Sequence, residues 1–196
     1  MQDSVSQTIA DQLRETARTL TVMSENAGLH ADLARVTSAC VTALRNGGKL
    51  LFAGNGGSAA DSQHLAAEIV SRFSFDRPGL PAFALTTDSS VLTGIGNDYG
   101  FERIFARQIE AVGAAGDVFF GISTSGRSAN VLAALRTARE RGLTTVGLTG
   151  ADGGDMAAWC DHCLRVPSSS TAHIQEGHIA LGHIVCLLIE RELFAR

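Results

Sequence analysis

Lys49-Leu50-Leu51-Phe52-Ala53-Gly54-Asn55-Gly56-Gly57-Ser58 runs from an apolar strand pattern into a glycine turn, and the ten residues after it, Ala59 to Glu68, carry a helical pattern. An unbroken apolar run followed by a turn and a helix is the opening of an α/β unit. Spacings of three and four put Asp61, His64 and Glu68 on one stripe of that helix, with Ala59, Ala60, Ala66, Ala67 and Val70 off it. A lone stripe of this kind reads most simply as a solvated polar face. The turn ahead of it presents free N–H groups and a positive dipole end, so an anionic ligand held there would also reach the stripe. Gly-x-Gly-Gly-Ser is neither the dinucleotide fingerprint nor a P-loop, so the turn by itself names no ligand.

Outward from this unit, strand patterns recur at Ala82 to Leu85, Val118 to Ile122, Thr145 to Leu148 and Cys163 to Val166, with helical patterns between them at Phe101 to Val112 and Ala129 to Arg141. This alternation predicts a five-stranded parallel sheet covered by helices on both faces, a three-layer α-β-α sandwich. Two helical patterns, about Val5 to Ser24 and Ala31 to Arg45, precede the first strand and stop at Gly47-Gly48, and a long one from about Ala172 to Phe194 closes the chain. The expected organisation is one domain over residues 1–196, with residues 1–47 a helical pair suited to oligomer contacts and 48–196 the α/β core. Pro78, Gly79 and Pro81 mark Phe73 to Pro81 as a loop.

The chain has 196 residues, 45% hydrophobic and 18% charged, with only three prolines, which excludes a largely disordered protein. A net charge of -4 without a Lys/Arg cluster argues against nucleic acid as a partner. Apolar stretches are interrupted short of a membrane span and Met1-Gln2-Asp3-Ser4 does not open a signal peptide, so the expectation is a cytoplasmic protein with no membrane partner. Cys40, Cys160, Cys163 and Cys186 are too few for a disulfide scaffold. Cys160-x-x-Cys163 could be a redox pair or half a zinc site, but no second pair follows, and buried inert thiols are the expectation.

Ligands of open parallel sheets gather beyond the carboxyl ends of the strands. That rule selects Gly54 to Ser58, Thr86 to Ser90, and Ser123-Thr124-Ser125-Gly126-Arg127-Ser128. The last is the better phosphate cradle, because the hydroxyls of Ser123, Thr124, Ser125 and Ser128 supplement the N–H groups of a helix start, although a turn capped by serine is the plainer alternative. The glycines of the first loop then suit close backbone approach to a sugar. The last helical pattern adds His173, Gln175, Glu176, His178 and His183. On an ideal helix His178 and His183 are about 140° apart, whereas Glu176 and Gln175 fall about 20° and about 80° from His183. Two imidazoles, a carboxylate and an amide oxygen can bind a divalent metal, or the imidazole and carboxylate can work as an acid-base pair without one.

Taken together, Gly54 to His64, Asn97-Asp98, Ser123 to Gly126, Leu148-Thr149-Gly150 with Asp152-Gly153-Gly154, and Ile174-Gln175-Glu176 with His178 and His183 resemble the SIS (sugar isomerase) domain family over nearly the whole chain, and within it the phosphoheptose isomerases. The resemblance implies a flavodoxin-like fold with two extra N-terminal helices. It also implies isomerisation of sedoheptulose 7-phosphate to D-glycero-D-manno-heptose 7-phosphate, feeding the heptose of a bacterial lipopolysaccharide or capsule. It assigns phosphate to Ser123, Thr124, Ser125 and Ser128. The sugar falls to Asn55, Gly56, Gly57 and Asn97 or Asp98, with Ser58, Asp61, Glu68 and Gln175 as further substrate contacts. Glu68 and His183 become the acid-base residues. A zinc site from His64, Glu68, Gln175 and His183, and a homotetramer with shared active sites, are implied as well. The alternatives are a non-enzymatic SIS-domain protein that associates with a replication initiator, disfavoured because Glu68 and His183 are both present, and a SIS isomerase for another phosphosugar.

Overall fold

The structure, a computed structural model, describes residues 2–194. Met1, Ala195 and Arg196, at the ends of the expected domain, lie outside the described residues. In chain order the elements are α1 (Gln2–Glu25), α2 (Ala27–Arg45), β1 (Leu50–Gly54), α3 (Gly57–Val70), β2 (Ala82–Ala84), α4 (Ser89–Tyr99), α5 (Ala106–Val112), β3 (Val118–Ile122), α6 (Ala129–Glu140), β4 (Thr144–Thr149), β5 (His162–Arg165) and α7 (Thr171–Phe194). Short 3-10 turns occupy Phe101–Arg103 and Asp155–Trp159.

All strand pairs are parallel, in the order β2-β1-β3-β4-β5. β1 and β3 are buried along their whole length, which is why they read as continuous apolar runs. Alternate residues feed two cores. Leu50 and Phe52 with Val118, Phe120 and Ile122 meet α2, α3 and α7, while Leu51, Ala53 and Phe119 meet α5 and α6. Phe52 and Phe120 stack across the β1–β3 ladder with ring centroids 4.8 Å apart. This strand order reverses direction between β1 and β3, and the loops after those two strands therefore flank the crevice where doubly wound sheets bind ligands.

The first two helices nearly run together, broken where Asn26 caps α2 by accepting from the Leu29 amide at 3.0 Å. Two features differ from the sequence expectation. The helix expected over Phe101 to Val112 is a 3-10 turn followed by the short α5, and the segment before it, for which the sequence patterns predict no helix, forms α4. Gly94, Gly96 and the β-branched residues of α4 hide its helical pattern, yet its ends carry cap chemistry: Asp88 accepts from the Val91 amide at 3.0 Å, and Gly100 leaves the helix at φ 90°. By length and composition alone α7 could cross a membrane, but half of that window is buried against the rest of the chain.

Candidate active site

Two parallel helices, α3 and α7, form the centre of the site through matching rungs. A Cβ on Gly57 would lie 2.5 Å from Gln175 Nε2, and one on Gly182 would lie 2.5 Å from the buried Leu65 Cδ2, so each glycine makes room for a side chain of the facing helix. One rung beside Leu65 and Gly182, His64 Nε2 meets His183 Nε2 at 2.8 Å, with the rings edge to face. One imidazole must donate and the other accept, so the two share a single proton position. Glu68 Oε1 lies 3.5 Å from the same His64 nitrogen, four residues along α3. The stripe expected from spacing is therefore real, and His183 completes it from the last helix.

Asp61 sits at the inner end of the stripe. Its Oδ2 is buried without a hydrogen-bond partner, and burial raises its pKa, an effect partly offset by His64 and His183. Glu176, expected near His183, instead faces α1, where its Oε2 accepts from Thr16 at 2.8 Å and lies 3.1 Å from His173 Nδ1. His178 is fully buried on the opposite side of α7, and desolvation holds its pKa at about 4, so it stays neutral.

A feature that sequence reading missed fixes the α3–α7 rung from behind. Glu190 is fully buried and its carboxylate accepts from the amides of Phe73 (2.9 Å) and Ser74 (2.6 Å) and from Arg77 Nε (3.1 Å). Arg77 in turn donates to the Glu68 carbonyl at 2.9 Å and the Ile69 carbonyl at 2.7 Å, closing the end of α3. The loop so held sets the Phe73 ring 5.6 Å from the His183 ring. Buried charge on Glu190 is tolerable because both carboxylate oxygens accept hydrogen bonds, and although burial pushes its pKa up, the amide and guanidinium donors win and leave it below the ordinary value. Arg77 within a proline-rich loop gave no hint of this, because its partner lies 113 residues away.

Across the β1–β3 crevice, Ser123 Oγ lies 2.9 Å from Ser128 Oγ and 3.5 Å from Ser125 Oγ. Ser128 is the N-cap of α6, but its side chain makes no capping bond, so the first turn of α6 is left with donors to offer a ligand. Thr124, Ser125 and Arg127 line a cavity of about 320 Å³ whose other wall includes Ser168, Ser169 and Thr171 before α7. Asn55 and Asn130 exchange amide hydrogen bonds of 2.8 Å in both directions, tying the β1 loop to α6. Asn130 is a further site-shaping residue; its only sequence signal is its place as the second residue of α6.

Other expected residues lie elsewhere. Ser58 is buried, its Cβ placed where a side chain on Gly54 would be, so it faces the end of β1 and leaves the crevice to Asn55, Gly56 and Gly57. Gly56 takes φ 56° at the start of α3, a conformation that favours glycine. Asn97 and Asp98 are exposed on the last turn of α4, where Asn97 Nδ2 donates to Asp98 Oδ1 at 2.8 Å. Among the described residues neither reaches the α3–α7 rung by a hydrogen bond, and Asp98 lines a separate cavity of about 600 Å³ with Ser90, Gly94, Tyr99, Arg107 and Glu110.

The donors His64, His183 and Glu68, with the unpartnered Asp61 oxygen beside them, fit a borderline divalent cation by chemistry. The two rings are at present engaged with each other, and among the described residues no group of three or more His, Cys, Asp or Glu is drawn together as a ligand set. Gln175 is placed against Gly57, at the start of α3.

Residues 12–150 match the family model described as the SIS domain. A protein named phosphoheptose isomerase from Burkholderia pseudomallei is 55% identical over 188 residues, covering 96% of this chain and 95% of its own length. Another of that name from Roseiflexus is 62% identical over 154 residues, covering 79% and 78%. The solved structure of phosphoheptose isomerase from Neisseria gonorrhoeae superposes with a TM-score of 0.89 at 44% identity, covering 95% of this chain and 98% of that one. By the family match over residues 12–150 and by these identities over most of its length, the chain belongs to the SIS domain family and, within it, to the phosphoheptose isomerases.

Proposed function

We propose that this enzyme interconverts D-sedoheptulose 7-phosphate and D-glycero-D-manno-heptose 7-phosphate, supplying heptose for a bacterial surface glycan from the cytoplasm. The observation that carries the reading is the convergence of Glu68, His64 and His183 on one α3–α7 rung, across the crevice from the Ser123–Ser125–Ser128 hydroxyls. The serine loop and the start of α6 would hold the phosphate, and Asn55, Gly56 and Gly57 would lie along the sugar. Glu68 would take a proton from C1 of the ketose and return it to C2, passing through an enediol. His183 would move the proton between the two sugar oxygens, its ring already bonded to His64 and steadied by Phe73. Gln175, at the Gly57 end of the same rungs, would orient the sugar.

Zinc held by His64, Glu68, Gln175 and His183 would supply Lewis-acid polarisation of the sugar oxygens when bound. The donor chemistry supports it. Elemental analysis of the purified protein, with activity measured after chelation and zinc restoration, tests it, and full activity in metal-free protein would remove it.

The N-terminal helices and α4 would be covered in a homotetramer with shared sites. α4 has no fully buried residue, while Val5, Ile9 and Leu13 on α1 and Tyr99 and Phe101 at the end of α4 are all more than half exposed. Asn97 and Asp98 would then serve a site in a neighbouring copy.

The decisive experiment is turnover of sedoheptulose 7-phosphate by wild type and Glu68→Gln, beside shorter phosphosugars. Loss of the base is expected to cost roughly 10²–10⁴ in kcat with folding unchanged. Activity that survives the substitution would sink this role for Glu68, and preference for a shorter sugar would shift the reading to another phosphosugar.

A further inference from the structure

The Cys160-x-x-Cys163 pair lies outside the site, yet its geometry is specific. Cys160 is clamped on both sides by β4: Thr145 Oγ1 donates to the Trp159 carbonyl at 3.0 Å, and Asp161 accepts from the Thr145 amide at 2.8 Å while its own amide donates to the Thr145 carbonyl at 2.9 Å. The chain bends at Asp161 and enters β5, where Cys163 pairs with Gly147 of β4. Neighbouring residues of a parallel ladder point to the same face. Cys160 Sγ occupies the space of the side chain that Gly147 lacks, 2.6 Å from where a Cβ would be. The two sulfurs are thereby gathered on one face of the sheet edge over Gly147.

Cys160 and Cys163 are half-buried, whereas Cys40 and Cys186 are buried in the core, where desolvation raises both thiols. The Cys160 thiol donates toward Cys163, and Arg165, two residues on and on the same face of β5, adds a second donor; together they hold Cys163 below an ordinary thiol. The Arg165 guanidinium also fills the space beside Gly153, whose carbonyl packs against Gly126 of the serine loop.

We propose that Cys160 and Cys163 form a reversible intrachain disulfide by exchange with small-molecule disulfides, and that closing it frees Arg165 and loosens the Gly150–Gly154 loop against the serine loop. The Cys163 thiolate attacks one sulfur of the small disulfide and displaces one thiolate, leaving a mixed disulfide. Cys160 then loses its proton to solvent and attacks the Cys163 sulfur, releasing the second small thiolate. Two protein thiols and one small disulfide thus give one protein disulfide and two small thiols. Cys163 can then no longer accept from Arg165.

The test is to treat the full-length protein with oxidised glutathione and map thiols by mass spectrometry. Wild type should lose two hydrogens with a Cys160–Cys163 cross-link, reversed by dithiothreitol, and with Cys40 and Cys186 free. Cys160→Ser should instead stop at a glutathione adduct on Cys163. In the oxidised protein, amide hydrogen exchange over residues 150–156 should speed up about fivefold, the scale of one exposed charge contact. Wild type that keeps both thiols, or links between chains, overturns the disulfide. Unchanged exchange in the cross-linked protein overturns its coupling to the loop. Neither readout depends on the isomerase assignment.

Discussion

The α3–α7 rung and the α4 flank carry the two halves of the proposed sugar site, and they are built in opposite ways. The rung is locked inside one chain by glycine contacts, an imidazole pair and a buried guanidinium-carboxylate pair. α4, which bears Asn97 and Asp98, has no fully buried residue and ends in exposed Tyr99, with exposed Phe101 in the 3-10 turn that follows. On the proposed reading, proton transfer would sit where packing allows little freedom, whereas sugar recognition would sit on a surface left for another copy to complete.

The sharpest way to break this contrast is to unlock the rung. Arg77→Met leaves Glu190 buried without its guanidinium and should cost about 3–5 kcal/mol of stability by denaturant unfolding. In whatever fraction folds, kcat should fall more than KM rises, since Glu68 and Phe73 lose their support. The double variant Arg77→Met with Glu190→Leu should recover part of the stability but not kcat. Recovery of both would make the pair a purely structural device.

The exposed apolar side chains of α1 and of the turn that follows α4 should respond differently. Ile9→Ser or Phe101→Ser removes an exposed apolar side chain, and each should change the unfolding free energy of the chain itself by only about 0.5 kcal/mol. The assembly measured by light scattering should nevertheless shrink, and KM should rise as it does. An intact assembly with unchanged KM would leave α4 without a partner and the contrast without a cause.

The smallest effect concerns Asp61. Burial raises its folded pKa above the unfolded value, so the folded chain binds more protons between those two values, and the contribution of Asp61 to stability is full at low pH and declines as pH rises through the folded pKa. Asp61→Asn should therefore raise the melting temperature slightly at neutral pH, with the gain vanishing in acid below the unfolded value. A gain that grew on acidification would mean that the carboxylate is held ionised by its imidazole neighbours.

Five strands, the three-layer arrangement and the serine loop were legible because each rests on a local pattern: apolar runs for β1 and β3, and hydroxyls at a helix start for Ser123 to Ser128. The Asp61–His64–Glu68 stripe was legible for the same reason, since helical periodicity alone aligns it. α4 was not, because its glycines mask the period and only its caps, Asp88 and Gly100, betray it. Ser58 was misread because its inward direction depends on Gly54, whose missing side chain leaves the space that the Ser58 Cβ takes up.

Local composition and spacing thus decided which segments become strand, turn or helix, and which helix faces carry chemistry, since those depend on residues a few positions apart. Only folding decided that His183 meets His64 while Glu176 turns to Thr16, and that Arg77 finds Glu190. Each of those partnerships joins residues more than a hundred positions apart. No period in the chain encodes them; they follow from how closely α7 approaches Leu65 of α3 at Gly182 and Val166, just beyond β5, at Gly177, where a single methyl group would have to displace a buried side chain.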